Sequence, residues 1–452
     1  MSPDAPRAGW VVRAAAAAAV AVLTPTPCSA ALVPLFKWSA KVSGGYHGNV
    51  FYSTGQEKTS SYGATVRILL SETLKGPTNS YGLSYRTTWQ AYSDQQAQDL
   101  KSLSHTFTAS MNQNWSRLTR FQASLRVKAT PEQNPYDEID DPTDFNSLVR
   151  PRARVTTYSP SLGWRITTHH GNELRFNFGY YTSDYGDPVQ PPPRRGQPPP
   201  PPQPFVDEES IKLSGSYNWE VGIGRRFDVT ATYGHQIYDG TQVVYAPVDR
   251  DLDGTIDDYN TVSETSVSQT SDSASATVGY SWDISELTRG TVGVGAIGST
   301  DNNYEDTNYS WAISAAIGKE ITPTIATRFG LSRDISSFTG VGTSALGTRG
   351  FADFDYQLSP TIDLKTKFSY SDSESLVGTQ TSVTYFKAVI VFLHRLGNWG
   401  GYNLSYAYND QESSGNLVGA ETGRTRYDLI SMGLNFDPAK FANDGRGGGQ
   451  SR

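Results

Sequence analysis

Apolar and polar residues alternate one by one along many short segments of this chain. In one segment, Phe121, Leu125 and Val127 alternate with Arg126 and Lys128. A period of two is that of a β-strand, in which successive side chains point to opposite faces. Each such segment therefore predicts a strand with one apolar and one polar face. The alternation recurs around Phe178, Val229 and Leu364.

Segments of this kind predict about 18 strands in order along the chain. Their centres lie at Val42, Val66, Tyr85, Ala109, Leu125, Leu162, Phe178, Leu213, Val229, Val278, Val294, Ile313, Phe329, Phe354, Leu364, Val389, Tyr406 and Met432. Short connections, such as 76–79, alternate with long ones, such as 184–210 and 239–271. Outer-membrane barrels have short periplasmic turns and long extracellular loops. The chain is therefore predicted to be all-β, a transmembrane antiparallel β-barrel over residues 31–436 in the bacterial outer membrane.

Four tryptophans occupy equivalent places in this pattern. Trp115, Trp164, Trp219 and Trp282 each lie on the apolar register, just before a short connection. Aromatic side chains collect where a membrane meets water, because one end of the ring system is apolar and the other can stay wet. The placement predicts an aromatic girdle at the periplasmic edge, with the core of a soluble sheet as the alternative.

Both ends of the chain depart from the strand pattern. Arg7 and Arg13 precede the apolar run 14–23, and small residues follow at 28–30, which is typical of a secretory signal peptide over 1–30. Lipidation of Cys28 is the less favoured alternative, since Pro27 directly precedes it. The glycine-rich residues 437–452 predict a flexible periplasmic tail.

Composition narrows the function classes. The chain has 38 basic and 45 acidic residues, a net charge of -7, so nucleic acid is not an expected partner. One cysteine and six histidines leave little for metal clusters or acid–base catalysis, so we expect no enzyme. After the N-terminal run no segment approaches the roughly 18 apolar residues that a membrane helix needs.

The likeness to known proteins rests on residues 105–185 and on the last predicted strand. The first region pairs strands around Trp115-Ser116-Arg117 and includes the segments 130–135 and 161–165. In the second, Ile430, Met432, Leu434 and Phe436 resemble the C-terminal signal that the barrel-assembly machinery recognises. The chain resembles outer-membrane β-barrel proteins associated with bacterial exopolysaccharide and capsule export, which are porin-like barrels.

The resemblance implies a passive aqueous conduit for exopolysaccharide. Its expected partners are outer-membrane lipid and lipopolysaccharide, the polysaccharide itself, the barrel-assembly machinery and a periplasmic export protein. Two other functions remain open. One is a nutrient porin, and the other is a structural barrel that displays calcium-binding surface loops for adhesion.

Basic residues on the polar register are the candidate channel lining. They are Arg86, Arg120, Arg126, Lys128, Arg165 and Arg175. The acidic connection 130–151 lies between the strands that carry them, and it either folds into the lumen opposite these residues or stays outside the barrel. A barrel of about 18 strands is too wide for side chains to fill, so a water-filled lumen is expected.

The sharpest local motif is acidic. Asp249, Asp251, Asp253 and Asp257 alternate around Gly254. Carboxylate oxygens with a glycine at a tight bend are typical of calcium loops. The motif predicts an extracellular Ca²⁺ site, the one expected cofactor, and the alternative is a solvated acidic loop.

Overall fold

The computed structural model describes residues 33–48, 60–93, 102–130, 152–168, 171–189, 207–248, 258–301, 304–338, 343–375, 382–397, 400–414 and 423–436. Within these ranges the chain forms eighteen β-strands. They are β1 (Val33–His47), β2 (Ser61–Lys75), β3 (Asn79–Tyr92), β4 (Ser102–Asn114), β5 (Thr119–Thr130), β6 (Arg152–Thr167), β7 (Glu173–Val189), β8 (Asp207–Gly222), β9 (Arg225–Val248), β10 (Asp258–Ser285), β11 (Thr288–Asp301), β12 (Tyr304–Thr322), β13 (Ile325–Phe338), β14 (Thr343–Ser359), β15 (Ile362–Ser375), β16 (Ser382–Arg395), β17 (Gly400–Ser414) and β18 (Gly423–Phe436).

The strands form one closed antiparallel barrel. Each strand pairs with its neighbours in sequence, and β18 pairs with β1, where Val42 lies opposite Leu434 and Tyr46 opposite Ile430. Closure satisfies the backbone N–H and C=O groups that an open sheet edge would leave unpaired. The predicted fold class is confirmed, and all eighteen predicted centres fall within the observed strands. Among the described residues, the structure contains no helix long and apolar enough to cross a membrane.

Short turns join the strands at one end of the barrel, which we call the periplasmic end. In the turn after β4, the Ser116 hydroxyl accepts hydrogen bonds from the backbone N–H groups of Leu118 and Thr119, at 3.1 and 3.0 Å. The turn after β8 uses Gly224, whose φ of 67° suits glycine. A hairpin this tight needs a residue that tolerates positive φ.

The two faces of the barrel wall differ in chemistry as the alternation predicts. Outward-facing Leu213, Val278 and Met432 are 45%, 48% and 62% exposed. Their neighbours on the inner register are small and polar, such as Ser214 and Thr277. An apolar outer surface that continues around the barrel is far larger than soluble proteins expose, and it suits a lipid environment.

Two hairpins are longer than the sequence predicts. β9 runs to Val248 and β10 starts at Asp258, so much of the predicted loop 239–271 is strand. Likewise, β7 extends to Val189 and β8 starts at Asp207, within the predicted loop 184–210. In the first of these hairpins, Ser and Thr occupy many successive positions of 261–271 and hide the alternation in the sequence, yet threonine and valine still favour extended backbone.

Several predictions concern residues outside the described ranges. These are the signal peptide 1–30, the tail 437–452, the connection 131–151 and the acidic motif from Asp249 to Asp257. They stay predictions.

Candidate functional site: the inner wall of the barrel

Polar side chains line the lumen in rows that cross the strands. Ser124 and Ser161 face each other in register, with their hydroxyl oxygens 2.7 Å apart. One row nearer the periplasm, Asn177 donates to the Ser214 hydroxyl at 3.3 Å. With Gln122 they line a lumenal cavity of about 360 Å³ on β4–β8. Apart from Lys212 of β8, which also lines this cavity, the wall here is uncharged and offers hydroxyl and amide groups to water or solute.

A basic row lies on the periplasmic side of this cavity. Arg120 is opposite Arg165, which is in turn opposite Arg175, so three strands bring three guanidinium groups side by side. Glu173 pairs with both Arg165 and Arg175, and Arg120 donates to the Asn112 side-chain oxygen at 3.3 Å. One carboxylate against three guanidinium groups leaves the row with net positive charge.

The other three predicted lining residues lie nearer the extracellular end. Arg126 and Lys128 are on the inner register of β5, and Arg86 shares a row with Lys128, with Thr106 between them. Within the described part of the chain, neither Arg126 nor Lys128 makes a hydrogen bond or ion pair. All six predicted basic residues thus lie on the inner face of β3–β7, which we call the basic arc.

Charges on the opposite side of the ring are more nearly matched, because most acids there lie beside a base. Nine strands from β5 is β14, where Asp353 accepts from Arg328 at 2.7 Å and lies in register with Lys367. Asp355 lies in register with Lys365. We call the inner face of β13–β16 the paired arc. It also includes the pair Arg395–Asp363, at 2.8 Å.

An aromatic ring, that of Phe351, lies on the inner face of β14 within the paired arc. Phe351 is in register with Gly330, and a Cβ built on that glycine would come 2.3 Å from the ring. The ring therefore packs against the backbone at Gly330, where any side chain larger than that of glycine would clash with it. The Arg328 guanidinium carbon is 5.5 Å from the ring centroid, within range of a cation–π contact.

The inner face of β17 and β18 is almost completely buried, and that of β1 and β2 is buried toward the extracellular end. Ala407 and Leu429 are each 1% exposed and pack with Val389 in an inward-facing apolar cluster. Further toward the extracellular end, the His47 ring stacks on Tyr427, with centroids 5.2 Å apart. Water-accessible space is therefore concentrated elsewhere on the wall.

The predicted girdle tryptophans lie on the lipid-facing register near the short turns. Trp115 and Trp164 touch edge to face, with centroids 5.1 Å apart, and are 54% and 41% exposed. Trp219 and Trp282 do not touch each other. They belong to one row of stacked rings, because Phe227 contacts Trp219 at 5.4 Å and Tyr280 at 4.7 Å, and Tyr280 contacts Trp282 at 5.5 Å.

A second interfacial level, which the sequence reasoning missed, lies nearer the extracellular end. The outward-facing Tyr233 and Tyr406 donate from their hydroxyls to Asp272 at 2.6 Å and Asp428 at 2.7 Å. Asp272 and Trp282 are about ten residues apart on β10, or roughly 33 Å along the strand. With the usual strand tilt this gives an apolar band about 25 Å tall. An acid on the apolar register beside a tyrosine is the signal that could have located this level.

The described residues contain no candidate metal site. Within them, no group of three or more His, Cys, Asp or Glu side chains is arranged to hold an ion. The calcium ligands predicted at Asp249, Asp251, Asp253 and Asp257 fall outside the described ranges, so that prediction stands on sequence alone.

No protein-family model matches the sequence, and no curated protein matches it. Among solved structures, the Acinetobacter baumannii siderophore receptor PirA aligns over 90% of this chain and 81% of its own, with TM-score 0.46 and 7% identity. Pseudomonas aeruginosa OpdQ aligns over 89% and 98%, with TM-score 0.44 and 12% identity. P. aeruginosa OccK2 (OpdF), in complex with glucuronate, aligns over the same shares with TM-score 0.44 and 10% identity. These similarities concern the barrel architecture and carry no argument about what this chain transports.

Proposed function

We propose that this chain is a bacterial outer-membrane channel that passes exported polysaccharide, with a preference for anionic chains. The outer face supports the location, because an apolar band about 25 Å tall lies between two aromatic levels. The inner face supports the channel, since polar side chains line an eighteen-stranded ring that is too wide for them to fill.

The preference for anions rests on one observation, the basic arc opposite the paired arc. Within the basic arc, Glu173 is the one acid beside Arg120, Arg165 and Arg175, and Arg126 and Lys128 have no described partner. Across the ring the positive excess is smaller. The inner face of β13–β16 carries four acids and six bases, namely Asp334, Asp353, Asp355 and Asp363 against Arg328, Arg349, Lys365, Lys367, Lys387 and Arg395. A low-dielectric wall with an excess of one sign raises the local concentration of oppositely charged solutes.

A polysaccharide cargo is supported by the rest of the wall. Conduction requires contacts strong enough to admit a solute and weak enough to release it. Ser124, Ser161, Asn177 and Ser214 offer single neutral hydrogen bonds, each worth only about 1 kcal/mol net. A chain of sugars could exchange such contacts stepwise for equivalent ones.

Planar-bilayer recording on the purified full-length protein tests the proposal. We expect stable single-channel steps and, under a KCl gradient, a reversal potential that indicates anion selectivity. Deletion of the gene in its host should cause polysaccharide to accumulate in the periplasm. A conducting, cation-selective barrel would contradict the electrostatic argument, whereas conduction with normal polysaccharide secretion would favour a nutrient porin.

The buried inner face of β17 and β18 favours a second candidate, the closed structural barrel. A wall segment with Leu429 and Ala407 each 1% exposed takes no part in a water-filled path. A purified barrel that is folded but never conducts would support this candidate and overturn the channel.

A further inference from the structure

A second lumenal cavity, of about 640 Å³, lies against the inner face of β7–β13. Its volume is within the ~300–1,000 Å³ typical of ligand pockets. Seven consecutive strands contribute to it, so the curvature of the wall itself makes the concavity. Its inner-facing lining consists mainly of small hydroxyl residues with a few charged groups.

Many polar groups in this cavity have no partner among the residues that the structure describes. The hydroxyls of Ser210, Thr232, Ser275, Thr277, Ser314 and Ser332 make no hydrogen bond within the described residues. Lys212 on β8 and Asp334 on β13 likewise make no hydrogen bond or close ion pair there, although the charges of Lys212 and Arg349 act on Asp334 from a distance. Asp334, which lies on the β13 strand of the paired arc, differs in this respect from Asp353 and Asp363, which bind arginines. An acid, a base and several hydroxyls are therefore available to a ligand.

Glycines give the cavity its depth. A Cβ at Gly234 would come 2.9 Å from the Ser273 hydroxyl, and one at Gly293 would come 2.7 Å from the Ser314 hydroxyl. Larger residues at these two positions would fill the concavity or displace its hydroxyls. On a third strand, β12, the small side chain of Ala312 also leaves space for the cavity.

We propose that this cavity is a saccharide subsite that holds a neutral sugar unit of the passing chain, an inference that rests on the proposed channel function. Asp334 accepts hydrogen bonds from sugar hydroxyls, Lys212 donates to sugar oxygens from the β8 side, and the serines and threonines do either. Carboxylate and ammonium groups form the stronger hydrogen bonds, so they hold the sugar while the hydroxyls let it turn and leave.

The test is block of single-channel current by maltotriose, with polyethylene glycol of matched size as the probe for simple exclusion. In the wild-type channel, maltotriose should give saturable block and the glycol should not. Asp334→Asn should raise the half-blocking maltotriose concentration at least about tenfold, because a hydrogen bond to a charged group is lost.

The matched control is Asp228→Asn. Asp228 also faces the lumen from β9 and also lacks a described partner, but it does not line the cavity. The Asp228→Asn substitution removes the same charge as Asp334→Asn, and it should change the half-blocking maltotriose concentration less than about twofold. Equal effects of the two variants, or no saturable block of a conducting wild-type channel, would overturn the subsite and leave the channel intact.

Calorimetric titration of the detergent-purified barrel with maltotriose separates the two proposals. Binding that Asp334→Asn weakens, in a barrel that does not conduct, would uphold the subsite and reject the conduit. Absence of binding would reject the subsite whatever the conductance.

Discussion

The basic arc and the paired arc share a strand pattern and differ in how their charges are arranged. On β5 and β6, Arg120, Arg126 and Arg165 have arginines or neutral residues as cross-strand neighbours. On β13–β15, Arg328 and Lys367 both lie opposite Asp353. The same alternation of charged and apolar positions therefore produces a large positive excess on one side of the lumen and acid–base pairs with a smaller excess on the other.

The difference shows that register, rather than composition, decides what a lumen wall offers a solute. An exposed ion pair contributes only about 0–1 kcal/mol to stability, so the paired arc gains little in folding from its pairs. Its acidic and basic side chains nevertheless interact with one another, so they are less available to a solute. The basic arc keeps its charge available, which is what an electrostatic filter requires.

The largest expected effect tests whether both arcs face the lumen. Leu125→Arg on β5 and Phe329→Arg on β13 place a charge on the outer face, where each should lower the free energy of unfolding by about 2–4 kcal/mol if near mid-membrane. Ser124→Arg and Ser332→Arg, on the inner register of the same strands, should cost far less. Urea unfolding in lipid vesicles measures all four, and equal losses on the two faces would remove the basis of the comparison.

The next effect concerns selectivity. Arg126→Gln with Lys128→Gln removes two charges from the basic arc, and we expect the anion-to-cation permeability ratio to fall about fivefold, since charges at a few ångströms contribute about 1 kcal/mol in water. Arg328→Gln with Asp353→Asn removes two charges from the paired arc at no net change and should leave the ratio nearly constant. Reversal potentials at low salt, where screening is weakest, give both values. Similar shifts in the two double variants would mean that pairing does not neutralise the paired arc.

Removing one acid from the paired arc should make it more like the basic arc. We therefore expect a smaller change in the permeability ratio, and in the opposite direction. Asp353→Asn alone leaves Arg328 without its carboxylate, at 2.7 Å in the native wall. The paired arc then gains positive charge, and the anion-to-cation permeability ratio should rise about twofold, less than the basic-arc change because Asp355 and Asp363 remain. A fall in the ratio would show that Asp353 acts on ions by some route other than neutralising Arg328.

How far the sequence predicts these features depends on the range of each interaction. Alternation is local, so strand positions, faces and the inward orientation of residues such as Arg126 can be predicted from the sequence. The neighbours across a strand depend on register, which turn lengths and bulges set, so the side-by-side position of Arg120, Arg165 and Arg175 could not be predicted. The β7–β13 cavity depends on the curvature of seven strands and on Gly234 and Gly293, whose effect no single segment reveals.

The smallest effect that we expect is on stability, and it comes from the contact between Phe351 and Arg328. The ring fixes where the guanidinium rests, so it contributes to keeping Arg328 beside Asp353 instead of extended into the lumen. A double-mutant cycle of Phe351→Leu and Arg328→Gln should give a coupling of about 0.5–1 kcal/mol in urea unfolding, the value of an exposed cation–π contact. The same cycle built from Phe354→Leu, an outward-facing ring on the same strand, should show no coupling to Arg328. Zero coupling with Phe351 would mean that Asp353 alone positions Arg328. In that case Phe351→Leu should also leave selectivity unchanged, whereas a released guanidinium would move selectivity slightly toward anions.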